Sequence, residues 1–264
     1  MKPSHEQCAI AFGVIADLHY ADKDMAINRF YRESMGKLRN AVAAFNELGP
    51  AFIIELGDLI DKADKEAETG FLATIDAVYQ AFEGKRYYVL GNHDVATYSK
   101  SEFLKLIGED RAFYSFDSGG YHFIVLDANF HRDGSSYNAG DFDWAETYVP
   151  PPQMEWLKGD LGRAGGAPSI VFTHQNLHDE TNPHGVKNAP EVRRILEDAG
   201  IVRAFFQGHD HAGGFARING IPYLTFRAEV DGSGPENNAY AMVYVLKDGT
   251  IQVEGYGKQE SFEL

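Results

Sequence analysis

Side chains that can bind metal or move protons follow one short apolar run of the chain, and the same kind of junction recurs four times. Residues 87–90 are apolar and β-prone, and they lead into Gly91-Asn92-His93-Asp94. Alone, this tetrapeptide could be a turn with a solvated histidine. The other four runs, with the polar residues that follow them, are 10–16 before Asp17 and His19, 52–56 before Asp58, 169–173 before His174, and 202–207 before His209 and His211. Because ligands bind at the carboxyl ends of strands in α/β sheets, we expect these side chains to form one site.

This set of side chains suits transition metals. A mixture of carboxylate or amide oxygens and imidazole nitrogens fits Mn, Fe, Zn, Co or Ni better than Ca or Mg, which prefer oxygen ligands. Seven ligands exceed what one ion needs, so we expect two ions that share a carboxylate. Asp58 is the natural shared ligand, because it lies in the chain between the Asp17/His19 pair and Asn92. Two ions about 3.5–4 Å apart clamp a phosphoryl oxygen and activate a water or hydroxide between them.

His93 is the one member of the set that the ions do not need. Its neighbour Asn92 fills the ligand role, which leaves His93 for proton transfer. The adjacent Asp94 is placed to fix the tautomer of that imidazole. We therefore predict His93 and Asp94 as catalytic residues.

The elements that must position these residues begin as β-α-β-α-β. Apolar side chains recur every three or four residues over 31–45 and 71–82, which predicts two helices between the first three strands. Such an order implies parallel strands with right-handed crossovers. Asp61 could cap the second helix or lie behind the site, and capping is the favoured interpretation. Further along, residues 113–126 predict a hairpin, 154–161 and 192–199 predict helices, and the chain after residue 214 predicts antiparallel strands.

Residues 127–152 lose all periodicity and contain Gly, Ser and Pro together with three aromatic residues. A loop of this length is uncommon in a compact domain unless it has a task such as covering a site. The alternative is a well-packed surface excursion. We expect the loop to border the substrate, with Tyr137, Phe142 or Trp144 as the face for a base or an aryl group.

Composition limits the class of protein. The chain has 264 residues, 44% of them hydrophobic and 24% charged, as in ordinary globular proteins, and we expect one domain over residues 1–264. A net charge of −15 disfavours a stable complex with nucleic acid or an anionic membrane. The single cysteine, Cys8, excludes a disulfide within the chain and a cysteine-based zinc site. No signal peptide or transmembrane stretch is visible, so we expect a cytoplasmic protein.

The calcineurin-like metallophosphoesterase superfamily is the family that these junctions resemble. The matching motifs, in order, are Asp17-x-His19, Gly57-Asp58, Gly91-Asn92-His93-Asp94, His174 and Gly208-His209-x-His211. Together they are specific, and they span the chain from Asp17 to His211. The resemblance implies an α/β fold, a four-layer α/β/β/α sandwich of two mixed sheets flanked by helices, and makes His93 the general acid for the leaving group. It also implies a dinuclear centre, with Asp17, His19, Asp58 and His211 on one ion and Asp58, Asn92, His174 and His209 on the other.

A narrower resemblance extends over more of the chain. Residues 29–32, 153–157 and 208–214 look like the manganese-dependent ADP-ribose/CDP-alcohol diphosphatase group, which favours manganese as the metal. Arg29 or Arg32 would then contact a substrate phosphate, although an arginine on a helix is more often solvated or paired. The loops of this chain look shorter than in that group.

The sequence thus predicts a two-metal phosphoesterase. The substrate class that we favour is a small phosphodiester or a nucleoside diphosphate derivative. A broad-range phosphomonoesterase is the alternative within the same class of enzyme. The alternative from another class is a scaffold that has the fold but no catalysis, and the complete set of ligand residues argues against it.

Overall fold

Pro3 and residues 7–264 are described by the structure, a computed structural model, and they form two six-stranded sheets and five α-helices. The strands are β1 (Cys8–Ile15), β2 (Phe52–Glu55), β3 (Lys85–Tyr88), β4 (Tyr114–Ser118), β5 (Tyr121–Val125), β6 (Ser169–Thr173), β7 (Val202–Gln207), β8 (Gly214–Ile218), β9 (Ile221–Thr225), β10 (Ala239–Leu246), β11 (Ile251–Gly257) and β12 (Phe262–Glu263). The helices are α1 (Ser34–Leu48), α2 (Lys65–Tyr79), α3 (Lys100–Ile107), α4 (Pro151–Arg163) and α5 (Ala189–Ala199).

Both sheets are mixed. The first has the order β12-β11-β10-β1-β2-β3, in which β1, β2 and β3 are parallel and β10 runs antiparallel to β1. The second has the order β4-β5-β6-β7-β9-β8, with parallel pairing from β5 through β6 and β7 to β9. The predicted hairpin is present as β4–β5, and the antiparallel strands predicted after residue 214 include the pair β8–β9. The five strands that end in predicted ligands are β1, β2 and β3 of one sheet and β6 and β7 of the other.

Three apolar cores separate four layers, as the resemblance implied. Between the sheets, Phe12 stacks on Phe52 with ring centroids 4.9 Å apart and meets the edge of Phe123 from the opposite sheet at 5.5 Å. Helices α1, α2 and α3 cover the outer face of the first sheet, and α4 and α5 cover that of the second. Offset and edge-to-face rings add to the free energy of burying them, so the two sheets are held in one relative position from which both present strand ends to the same site.

Helix α2 begins at a residue other than the one we favoured. The side chain of Asp64, not Asp61, accepts hydrogen bonds from the backbone N–H groups of Glu66 and Ala67. Asp61 is thereby available to the site, the alternative that we considered less favourable. Helix α3, which the periodicity did not predict, begins with a capping box in which Ser99 and Glu102 each accept from the other's backbone N–H.

No helix of the described residues combines the length and apolarity needed to cross a bilayer. The longest helices, α1 and α2, have 15 residues each and carry charged side chains on their exposed faces.

Candidate metal centre

The predicted ligands lie on short backbone turns at the carboxyl ends of the strands. Asp17, His19, Asp58 and His209 all have positive φ angles, between 43° and 67°. Non-glycine residues in this region carry strain, and such strain clusters at functional sites. The turns are tightly packed: a Cβ atom on Gly91 would lie 2.1 Å from the backbone nitrogen of Asp58. The Gly-Asn-His-Asp motif therefore needs its glycine for close approach of two strand ends.

One group of ligand atoms comes from β1 and from the turn after β7. Nε2 of His19 lies 3.2 Å from Nε2 of His211, and these nitrogens lie 3.9 and 3.8 Å from Oδ1 of Asp17. Asp17 and His19 are 0% exposed. Three donor atoms at these separations can face a single cation.

A second group comes from β2, β6 and the same turn after β7. Nε2 of His174 lies 3.0 Å from Nδ1 of His209 and 3.2 Å from Oδ2 of Asp58. That same oxygen lies 3.3 Å from Nε2 of His19 in the first group. The other oxygen, Oδ1, accepts the backbone N–H of His93 at 2.8 Å, which fixes the orientation of the carboxylate. Asp58 thus stands between the two groups, where a shared ligand must be.

Asn92 is a buried amide whose side-chain oxygen and nitrogen both lack a hydrogen-bond partner among the described residues. An unpaired polar atom in a protein interior is costly, so such atoms call for an explanation. A metal ion held at this site would take the amide oxygen as a ligand. The residues present therefore fit two divalent transition-metal ions, with nitrogen and oxygen donors on each.

Three of the imidazoles are oriented by hydrogen bonds that they donate from the ring nitrogen facing away from the other ligands. His174 donates from Nδ1 to the carbonyl oxygen of Leu56 at 2.8 Å, and His211 from Nδ1 to Asp231 at 3.1 Å. His209 donates from Nε2 to the carbonyl oxygen of Trp144 at 3.3 Å. Each bond leaves the other ring nitrogen as the acceptor that a metal requires.

The electrostatics of the pocket favour cations. Burial alone would lower the pKa of His174, but the carboxylates of Asp58 and Asp17 outweigh it and raise the pKa to about 9. Burial lowers the pKa of His209 well below its usual value and that of His19 to about 3, which keeps both rings neutral. Carboxylates that draw a proton onto a buried imidazole would draw a metal ion in the same way, because both carry positive charge.

The prediction that Asp94 orients the imidazole of His93 was wrong. Asp94 accepts the backbone N–H groups of Gly91, Asp58 and Leu59 at 2.8, 3.0 and 2.9 Å. Through these bonds its carboxylate ties the chain that follows β2 to the chain that follows β3. Asp94 is thus a structural residue of the turn.

Asp61 takes the place that we expected for Asp94. Its two carboxylate oxygens lie 3.3 Å from Nδ1 of His93 and 3.5 Å from Nδ1 of His19, at ion-pair distance though not aligned as hydrogen bonds. Burial alone would raise the pKa of Asp61, but the two histidines outweigh it and lower the pKa, so the group is ionised. In the same balance, Asp58 and Asp61 outweigh burial and raise the pKa of His93. One carboxylate therefore contacts both a predicted ligand and the predicted acid.

The two arginines predicted to contact a substrate phosphate lie in different places. Arg29 reaches the centre, with Nη2 3.4 Å from Nε2 of His211 and Nη1 3.5 Å from Asp61. Arg32 instead pairs with Asp22 and Asp24 at 2.5 and 2.8 Å on the surface. The prediction that Arg32 contacts a substrate phosphate is therefore not supported, since nearby carboxylates already occupy its guanidinium.

The loop after β5 does lie against the centre, but not through Tyr137. That ring is 1% exposed, and its hydroxyl donates to the carbonyl oxygens of Asp143 and Glu146 within the loop itself. The prediction of Tyr137 as a substrate contact was wrong, because the ring is buried and its hydroxyl is hydrogen-bonded within the loop. Phe142 lies with its ring centroid 5.9 Å from that of His93. Trp144, 45% exposed, lies 6.0 Å from the ring of His209.

Several residues of the site were not anticipated. Asp231 comes from the long segment between β9 and β10, where no sequence pattern marks it. His184, in the loop after β6, lies 5.0 Å from the His209 ring and 5.3 Å from the Trp144 ring. Asp61, by contrast, was considered as a residue behind the site, and it follows Asp58 by three residues on the same exit turn.

Comparison with known proteins agrees with this geometry. The family described as calcineurin-like phosphoesterase matches residues 10–213. The chain is similar to the manganese-dependent ADP-ribose/CDP-alcohol diphosphatases of Xenopus tropicalis, with 26% identity over 98% of this chain and 95% of that one, and of Mus musculus, with 30% identity over 94% and 91%. A dimetal phosphatase from Danio rerio shares the fold, with a TM-score of 0.83 and 24% identity over 97% of this chain and 98% of that one.

The family match covers the strands and turns that supply the ligand atoms, so membership of this family accounts for both the fold and the two ligand groups. The chain belongs to the calcineurin-like phosphoesterases, and it is a metal-dependent hydrolase of phosphate esters or anhydrides.

Proposed function

We propose that this chain hydrolyses nucleoside diphosphate derivatives or small phosphodiesters with two manganese ions. The observation that carries the proposal is the position of Asp58, whose Oδ2 lies 3.3 Å from His19 and 3.2 Å from His174 at the junction of two ligand groups. The names of the relatives, manganese-dependent ADP-ribose/CDP-alcohol diphosphatase, support the metal and the substrate class.

Seven residues would hold the metal. Bound divalent ions supply activation of water and stabilisation of the charge that develops on the phosphoryl oxygens. Asp17, His19 and His211 would face one ion, His174, His209 and Asn92 the other, and Asp58 both. Hydrogen bonds with backbone groups and with Asp231 fix these side chains beforehand, so little reorganisation is needed when substrate binds.

His93 would protonate the departing oxygen of substrates with alkyl or ribosyl leaving groups. Its Nδ1 faces Asp61, which leaves Nε2 for the substrate, and the side chain is 19% exposed at the edge of the centre. The raised pKa favours the imidazolium form that a general acid requires. Asp61 acts through His93 and is a positioning residue.

Arg29 and the loop after β5 would contact the rest of the substrate. Arg29 lies beside His211 and Asp61 with 29% of its side chain exposed, so its guanidinium can reach a phosphate oxygen. The exposed indole of Trp144, next to His184, offers a face on which a nucleobase could stack.

A substrate panel tests the proposal. Purified protein with added Mn, Zn, Co or Ni would be assayed against ADP-ribose, CDP-alcohols, dinucleotides, cyclic nucleotides and phosphomonoesters. We expect the highest kcat/KM with Mn and a diphosphate-linked compound. A preference for monoesters would identify a phosphomonoesterase instead, and the absence of turnover with any metal would reject the enzyme.

A further inference from the structure

We propose that Lys62, held beside Phe142, binds the departing phosphate of a diphosphate substrate and thereby gives the site its preference for diphosphates over monoesters. This inference rests on the proposed function and names the part of the substrate that lies outside the metal centre.

Lys62 is fixed at the edge of the site where His93 lies. Its backbone N–H donates to Oδ1 of Asp61 at 2.6 Å, and its carbonyl oxygen accepts from Lys23 at 3.4 Å. Its ammonium nitrogen lies 5.9 Å from the centroid of the Phe142 ring, which in turn lies 5.9 Å from the ring of His93. The side chain is exposed, so a ligand can reach it.

The charge of Lys62 is not already neutralised. Of the other cations at this edge, Lys23 pairs with Asp61 at 2.9 Å and Arg29 pairs with it at 3.5 Å. Within the part of the chain that the structure describes, no carboxylate lies within ion-pair distance of the Lys62 ammonium group. On a chain with a net charge of −15, an unpaired cation beside the predicted acid favours an anionic ligand at this point.

The reaction places such an anion next to His93. In hydrolysis of a diphosphate, water adds OH to the attacked phosphorus and the P–O bond to the bridging oxygen breaks. The bridging oxygen keeps the electron pair and leaves as part of the second phosphate, and the proton from water passes to that phosphate or to solvent. If His93 faces the departing oxygen, the second phosphate lies on the side of the centre where Phe142 and Lys62 also lie.

A departing phosphate needs a cation more than it needs a proton. Its second ionisation has a pKa near 6, so it is a weak base that carries almost two charges at neutral pH. An alkoxide is a strong base and needs the proton of His93 instead. Lysine meets the first need because its ammonium group binds phosphate as a compact point charge. Lys62 and His93 would therefore serve different leaving groups.

The test compares two substrates in matched variants. Lys62→Ala, Lys62→Glu and the control Lys85→Ala would be assayed with Mn on ADP-ribose and on 4-nitrophenyl phosphate. Lys85 is also exposed but lies at the opposite end of β3 from Asn92. We expect Lys62→Ala to lower kcat/KM for ADP-ribose by about 5- to 20-fold, the scale of one partly exposed charged contact, and Lys62→Glu to lower it further. The nitrophenyl ester should change less than about twofold.

Binding of a non-hydrolysable methylene analogue of ADP-ribose, measured by calorimetry, gives a readout that does not depend on turnover. Lys62→Ala should weaken it by a similar factor, with the melting temperature and metal content as in the wild type. An equal effect on both substrates, or an unchanged ratio with unchanged analogue binding, would overturn the role of Lys62 while leaving the proposed function standing. A wild-type protein that hydrolyses neither substrate would overturn both.

Discussion

The floor and the rim of the centre are built in different ways. We define the floor as the side chains beneath the substrate, namely Asp17, His19, Asp58, Asn92, His174, His209, His211 and Asp61. The rim comprises the side chains around its mouth, namely Lys62, Phe142, Trp144 and His184. Floor residues such as Asp17 and His174 are 0% exposed on strand-end turns, whereas the Trp144 side chain in the rim is 45% exposed on a loop.

This difference separates chemistry from specificity. Most floor side chains lie on strained turns or are held by hydrogen bonds, so a change to one of them disturbs its neighbours. Rim side chains have few partners and can be replaced without moving the floor. We therefore expect variants of the predicted metal ligands in the floor to lose all activities together and rim variants to change the ratio between substrates.

The largest effect should come from Asp58→Asn. Loss of the shared charge should lower the occupancy of both metal positions, whereas His19→Ala should mainly affect one. Because metal ions stabilise the transition state by several kcal/mol, we expect kcat/KM to fall by roughly 10⁴-fold on every substrate. Metal analysis after gel filtration checks the occupancy. A variant that keeps both ions, or loses activity on one substrate class only, would break the distinction between floor and rim.

His93→Ala should cost roughly 10²–10⁴-fold on substrates with alkyl or ribosyl leaving oxygens, the usual scale of general acid catalysis. The loss should shrink on a nitrophenyl ester, because nitrophenolate departs without a proton. Metal content should stay near that of the wild type. Equal losses on both kinds of ester, or a missing ion, would show that His93 is a ligand or an anchor.

Asp61→Asn should have an intermediate effect. A neutral amide faces His19 and His93 less favourably than a carboxylate, and changes to groups behind metal ligands usually cost about 10–100-fold in affinity or activity. We expect weaker metal binding at the His19 position and a larger loss on poor leaving groups than on nitrophenyl esters. Asp94→Asn, which perturbs the turn, should lower the melting temperature instead. Identical behaviour of the two variants would argue against a positioning role for Asp61.

The smallest effect should come from the rim. Trp144→Ala removes an exposed ring that can contribute about 1–2 kcal/mol by stacking on a base, so KM for a nucleotide substrate should rise by roughly 5- to 30-fold. The KM for a small aryl phosphate should hardly move. Leu106→Ala, which removes a similarly exposed apolar side chain on α3, is the control. A common shift in KM for both substrates would place Trp144 in the floor.

Much of the floor could be predicted from the sequence, because its geometry follows from local rules. Each apolar run became a strand, or nearly so, and parallel strands bring their carboxyl ends together. The predictions for Asp94 and Tyr137 failed because the tertiary structure, and not the local sequence, decides what their side chains contact. Asp94 is adjacent to His93 in sequence, yet the turn separates the two side chains. Tyr137 sits in an exposed loop, yet it is the buried anchor of that loop.

Contacts made by backbone atoms could not be predicted from the sequence. The carbonyl oxygen of Trp144 orients His209, and no side-chain pattern encodes that contact. Asp231 depends on where the segment after β9 crosses the end of β7, which only the packed structure defines. Strand β3 also begins and ends two residues earlier than predicted, because Val89 and Leu90 already belong to the exit from the sheet.

Metal stoichiometry tests the central claim most directly. Protein stripped with a chelator would be titrated with Mn while bound metal and hydrolysis of ADP-ribose are followed together. The shared position of Asp58 predicts two ions per chain in the wild type, with hydrolysis rising as the second ion binds. A protein that binds one ion or none, or that hydrolyses the substrate at full rate before the second ion binds, would contradict a two-metal centre.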